Sequence, residues 1–256
     1  MSLSPNGQLL LSISRAGRFK KCQRSFFYRY VANLADSQTR ESGLGDLFHS
    51  VLDHWAELYM QKIDIRSAMK SAYTIAIQER EVDKTKVQLI KEELDQVKQW
   101  IKAYTLVLEQ TPPNVLGHEK TFDFLIDKKF LVRGAIDRID LVDKDTIRIV
   151  DYKVGNPKYV DNKQVAVYAK ALIENPTYKN KRFIGGYIFL KENCRVVEYE
   201  ITDKLMDSAV QYLREIGERI IIEKAWKPSF SPLCGWCSHK FQCATDNNQT
   251  GEVTCP

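Results

Sequence analysis

The stretch Gly134-Ala135-Ile136-Asp137-Arg138-Ile139-Asp140, followed by Ile149-Val150-Asp151-Tyr152-Lys153, decides how this chain is read. Both segments are rich in Ile and Val, which predicts two strands, and Val142-Asp143-Lys144-Asp145-Thr146 between them predicts a turn, so the whole is a β-hairpin. With the turn centred on Lys144, Asp137 falls directly across from Asp151, their Cβ atoms roughly 5 Å apart on one face. Side chains alternate along a strand, so Lys153 joins Asp151 on that face while Tyr152 and Asp140 point away. Two carboxylates and a cation placed this way suit a small metal ion. The same spacing also describes a solvated hairpin with a cross-strand ion pair.

Working outward, a helix starting near Ser12 or Ser14 is expected to run through the basic and aromatic stretch that follows, ending at a loop with Gly43 and Gly45. Leu47, Phe48, Val51, Leu52, Trp55, Leu58 and Tyr59 then repeat at helical spacing, and helical pattern continues from Ile65 to Leu108. Thr111-Pro112-Pro113-Asn114 breaks it. Strands are expected at Glu119–Ile126, Phe130–Leu141 and Thr146–Lys153, a helix at Gln164–Glu174, a second hairpin pairing Phe183–Leu190 with Arg195–Ile201, a long helix at Asp203–Lys224, and a loop for the tail. The economical architecture is one α/β domain over residues 1–256 with a central mixed sheet: a helical layer over 1–115, the sheet with one helix over 116–201, and a C-terminal helix and cysteine-bearing tail over 202–256.

The composition agrees with a globular chain: 256 residues, 44% hydrophobic, and a net charge of only +5. Affinity for nucleic acid must therefore come from local patches. One such patch runs from Leu11 to Tyr30, where Arg15, Arg18, Lys20, Lys21, Arg24 and Arg29 interleave with Phe19, Phe26, Phe27, Tyr28 and Tyr30 and no acidic residue occurs. These residue types serve phosphate contact and base stacking, and equally an amphipathic helix that buries its aromatics. No apolar run reaches the roughly 18 residues of a membrane span, and no signal peptide is evident, so the chain is expected to be cytoplasmic with no membrane partner. In that reducing compartment six cysteines speak for metal ligation more than for disulfides. Cys234, Cys237 and Cys243 form C-x2-C-x5-C, and Cys22 lies far upstream; by spacing alone a four-cysteine zinc site fits, with His239 able to replace a thiol.

Asp137 with Asp151-Tyr152-Lys153 resembles the core signature of the PD-(D/E)XK nuclease superfamily. Gly45-Asp46-Leu47-Phe48-His49 resembles the Gly-x-x-x-His motif of its RecB-type members, Gly134 to Asp140 their Gly-x-x-Asp-Arg-x-Asp strand, and Gln164 with Tyr168 their Gln-x-x-x-Tyr helix. The motifs stand in the family's order. The resemblance implies a restriction-endonuclease-like α/β fold and a DNA nuclease using Mg²⁺ or Mn²⁺. It implies His49, Asp137, Asp151 and the Tyr152 backbone carbonyl as metal ligands, Lys153 as catalytic, Gln164 and Tyr168 as residues that position Lys153 or a phosphate, and Glu119 as a further carboxylate near the metal.

One early and three late cysteines bracketing the core are similar to the iron-sulfur subset of these enzymes, such as AddB nuclease domains and CRISPR adaptation exonucleases. That implies a 4Fe-4S cluster on Cys22, Cys234, Cys237 and Cys243, with zinc as the alternative; Cys194 and Cys255 are then free thiols. The expected activity is exonucleolytic, on single-stranded DNA or ends, in repair, recombination or CRISPR adaptation. No Gly-x-x-x-x-Gly-Lys-Ser/Thr phosphate loop is present in the sequence, so unwinding would need a helicase partner. The competing expectations are a zinc-stapled noncatalytic DNA-binding module and a structure-selective endonuclease.

Overall fold

The structure, a computed structural model, describes residues 3–155 and 161–249. In chain order the elements are β1 (Leu9–Leu11), α1 (Ile13–Lys21), α2 (Gln23–Tyr30), α3 (Arg40–Met60), α4 (Ile65–Val82), α5 (Lys91–Gln110), β2 (Val115–Ile126), β3 (Phe130–Asp143), β4 (Thr146–Lys153), α6 (Lys163–Ile173), β5 (Arg182–Phe189), β6 (Arg195–Ile201), α7 (Asp203–Ile222) and α8 (Lys240–Gln249). They fall into two compact units, one of residues 38–122 and 134–207, the other of 3–37, 123–133 and 208–249.

The larger unit carries the mixed sheet. β3 and β4 pair antiparallel in the expected register, Arg138 opposite Val150 and Ile139 opposite Ile149, with an irregularity between Leu141 and Asp143. β4 and β5 are parallel, joined through α6, and β5 and β6 are antiparallel. Alternation along β4 divides its side chains between two layers. Val150 and Tyr152 join Ile188 in one apolar core with Leu47, Phe48, Val51 and Trp55 of α3, Ala72 of α4 and Trp100 and Tyr104 of α5. Asp151 faces α6 instead, through Gln164. The helix α6 crosses closely over Gly185, where an added Cβ would lie 2.6 Å from a methyl of Val165.

The glycines expected to form a loop lie inside α3. They mark close approach: a Cβ on Gly43 would stand 2.4 Å from Val87, and one on Gly45 3.2 Å from Val154, just past the end of β4. Bare backbone there lets α3 reach the sheet where His49 is needed.

In the second unit β1 pairs parallel with the start of β3, Leu9 opposite Phe130. The single expected N-terminal helix is two helices. Cys22 is extended (φ −160°, ψ 110°), closes α1 and caps α2, its Sγ accepting from the Ser25 N–H at 3.5 Å. Part of the basic stretch turns inward, while Lys20 and Lys21 stay exposed. Phe19, Phe26 and Tyr28 are buried, Phe26 stacks on Trp226 at 5.9 Å, Arg18 forms a bidentate pair with Asp36 (2.7 and 2.7 Å), Arg24 donates to the Trp226 carbonyl at 2.8 Å, and Arg15 stands 4.6 Å over the Tyr30 ring. The rings build the unit's interior, and these half-buried arginines pack at its margin. The tail is helical as well, at α8, where a loop was expected, and α7 stops at Ile222, not Lys224. Among the described residues no helix is long and apolar enough to cross a membrane.

Candidate active site

The predicted residues collect in the larger unit at the end of the β3–β4 ladder. Regular pairing ends at Arg138 and Val150. One residue further the Tyr152 N–H donates to Asp137 Oδ2 at 2.9 Å, a side chain taking the place of a ladder carbonyl. His49, delivered by α3, sets Nδ1 3.6 Å from the same carboxylate. Its Nε2 donates to the Tyr152 carbonyl at 3.1 Å. Glu119 arrives from β2, and ligand atoms of His49, Glu119 and Asp137 all lie within 4.8 Å of one another. Asp151 stands beside this trio but outside it. Its Oδ1 accepts from Gln164 at 2.7 Å and its Oδ2 lies 2.6 Å from the Lys153 ammonium. Gln164 also accepts from Lys153 at 2.9 Å and donates to the Tyr168 hydroxyl at 2.7 Å, so one amide orients the carboxylate, the ammonium and the phenol together.

The electrostatics of this corner are those of acids short of positive charge. Burial and then repulsion from Asp151 push the Asp137 carboxyl up to about 7. Asp151 is raised by burial, with Lys153 opposing. Glu119 is raised by burial and then by Asp137 and Asp53. Burial holds His49 below its ordinary value, so its imidazole is neutral and able to ligate. Two carboxylates and one imidazole within 4.8 Å of one another, with the Tyr152 carbonyl 3.1 Å from that imidazole, suit a divalent cation of the Mg²⁺ or Mn²⁺ type, whose charge would relieve this repulsion.

Behind the site lies a group to which the sequence reading assigned no joint role. Arg138 is 4% exposed and Asp140 1%. The guanidinium donates to both Asp140 oxygens (2.8 and 2.9 Å) and to the hydroxyls of Tyr104 and Tyr152 (2.8 Å each). Asp140 and Tyr152 do point away from the metal-facing side, as alternation requires. The signal in the sequence was the i, i+2 spacing of Arg138 and Asp140 on the face that Tyr152 also shares. Asp53 and His118, likewise unanticipated, are hydrogen-bonded beside Glu119.

In the other unit Cys22, Cys234, Cys237 and Cys243 line one cavity together with Ser229 and Lys240. The Ser229 N–H points at Cys22 Sγ (3.5 Å) and the Ser231 N–H at Cys234 Sγ (3.4 Å). Four convergent thiols fit a group that takes four thiolate ligands. His239 is 5% exposed and 3.1 Å from Asp36. Cys194 is buried apart from them, against the Trp100 carbonyl. Cys255 lies outside the described residues.

The sequence pattern of the PD-(D/E)XK nuclease superfamily matches residues 10–244, and the chain belongs to that superfamily. One subunit of the ATP-dependent helicase/deoxyribonuclease of Clostridium acetobutylicum is 25% identical over 256 aligned positions, covering 79% of this chain and 22% of that protein. The corresponding Streptococcus uberis protein is 37% identical over 78 positions, covering 28% of this chain and 7% of that one. The chain thus spans only about a fifth of the length of the Clostridium relative, 22%. A crystal structure named "Putative exonuclease" from Eubacterium rectale shares the fold, with a TM-score of 0.58 and 12% identity over 93% of both chains.

Proposed function

We propose that this nuclease is a Mg²⁺- or Mn²⁺-dependent deoxyribonuclease that removes nucleotides from single-stranded DNA or DNA ends. The observation that carries the reading is the convergence of His49, Glu119 and Asp137, with the Asp151–Lys153 pair alongside. A divalent cation held by these groups makes a bound water nucleophilic and offsets charge on the phosphate. The protein's own side chains do the rest. Asp137, Asp151 and the Tyr152 carbonyl would hold the cation together with His49 and Glu119, and Lys153, held by Gln164, would present a compact cation to the phosphate oxygens. Tyr168 keeps Gln164 in its working orientation. DNA as substrate, and a helicase as partner, are supported by the helicase/deoxyribonuclease subunits the chain resembles. Repair, recombination or CRISPR adaptation in the cytoplasm is the corresponding setting.

The four cysteines of the second unit are proposed to hold a 4Fe-4S cluster. By joining Cys22 to the tail it would close a loop of some two hundred residues, an effect of several kcal/mol on chain-entropy grounds. Anaerobically purified protein should be brown with about four irons per chain. Colourless protein with stoichiometric zinc overturns this assignment.

The activity is tested with end-labelled single strands, blunt duplexes and single-stranded circles, with Mg²⁺ or with EDTA. Linear strands should shorten from an end only with Mg²⁺, circles should survive, and Asp151→Ala should bind DNA without cutting it. Cleaved circles would replace the exonuclease reading by an endonuclease. Full Mg²⁺-dependent cleavage by Asp151→Ala would remove the site assignment.

A further inference from the structure

We infer that Asp53 and His118 form a positioning pair that holds a reversed backbone in β2 so that Glu119 reaches the metal-facing cluster. The inference rests on the reading of Glu119 as a cation ligand. Adjacent residues of a regular strand point to opposite faces. His118 and Glu119 break that rule. His118 Nδ1 is hydrogen-bonded to Asp53 on α3, and Glu119 meets His49 on the same helix. His49 and Asp53 lie one turn apart and share one face of α3.

Both strand residues reach that face because Glu119 takes φ +39°, in the left-handed region, which a non-glycine residue seldom occupies. Such a conformation costs on the order of 1–3 kcal/mol and persists where surrounding contacts over-determine it. The Asp53–His118 hydrogen bond is the contact that anchors this strand to α3 at the neighbouring position. Relaxation to an ordinary extended backbone would turn one of the two side chains away from the helix. With His118 fixed, Glu119 stays on the cluster.

The test is Mn²⁺ affinity of the whole chain, freed of loosely held divalent cations by EDTA with its cysteine-bound group left in place, read by paramagnetic resonance and independent of cleavage. Asp53→Ala should weaken Mn²⁺ about tenfold, in the range seen when groups supporting metal ligands are removed, and His118→Ala by a similar factor. The two together should cost little more than either alone. Asp53→Asn, which keeps an acceptor for His118, should retain most of the affinity and guards against a folding artefact. Glu119→Ala should weaken Mn²⁺ in the parent chain but add little in the Asp53→Ala background, because Glu119 is no longer delivered there. A full, additive Glu119→Ala loss in that background overturns the positioning role while leaving Glu119 a ligand. Parent-like Mn²⁺ affinity in the single Glu119→Ala variant overturns the ligand reading itself, and the inference with it.

Discussion

Replacing Arg138 by Leu tests the buried network that carries the catalytic strand. Asp140 is 1% exposed and both its oxygens are bound by Arg138, so the variant leaves a carboxylate with neither water nor its partner. Breaking a buried pair by removing one member costs about 3–5 kcal/mol. The Tyr104 and Tyr152 hydroxyls also lose a charged donor, each bond contributing about 1.5 kcal/mol or more. Against a typical total of about 5–15 kcal/mol this is severe. Removing both members is different: Arg138→Leu with Asp140→Leu eliminates the stranded charge and should recover about 2 kcal/mol or more of the loss. Guanidinium unfolding followed by tryptophan fluorescence reports on the right region, since the guanidinium lies 5.4 Å from the Trp55 ring. A single variant within about 1 kcal/mol of the parent, or a double variant no more stable than the single, would refute the reasoning.

Other perturbations separate the site from its scaffold. Gly45→Ala gains about 1 kcal/mol of helix propensity and meets Val154 at 3.2 Å, so stability should barely move while cleavage falls; Gly43→Ala meets Val87 at 2.4 Å and should destabilise by more than about 1 kcal/mol. Equal effects in the two variants would deny Gly45 its role in placing His49. In EDTA the melting temperature should fall from pH 6 to pH 8, because the folded chain keeps an Asp137 proton between 3.8 and about 7 that the unfolded chain has lost, and the stability it lends disappears as pH rises through the folded value. Asp137→Asn should flatten that slope, and an unchanged slope would refute the cause. Cys22→Ser should lose the brown colour and much thermal stability while Cys194→Ser keeps the colour, and pale Cys194→Ser protein would contradict the ligand set.

The hairpin was legible because two simple rules, alternation and a short turn, fix its register, and Arg138 does face Val150 as they require. His49, Gln164 and Tyr168 came from motif order, which encodes positions that no local rule reveals. Glycine misled because Gly43 and Gly45 look alike in a loop and in a helix with a close neighbour; only the partners, Val87 and Val154, tell them apart. The break at Cys22 was hidden by helix-compatible residues on both sides; there the extended Cys22 closes α1 and its Sγ caps α2. Arg138 stood in the quoted strand motif without a role, because its partners Asp140, Tyr104 and Tyr152 come from three elements that only the fold brings together. The partners of Arg18 and Arg24 in the basic first stretch were not legible for a related reason: Asp36 and the Trp226 carbonyl, which engage them, are remote in sequence.

Anomalous scattering from crystals soaked in Mn²⁺ tests the central claim most directly, because it locates the cation without reference to activity. The account predicts one strong peak bound by His49, Glu119, Asp137 and the Tyr152 carbonyl, with Asp151 turned toward it and away from Lys153. A fully occupied Mn²⁺ elsewhere, with none at His49, Glu119 and Asp137, would contradict the account.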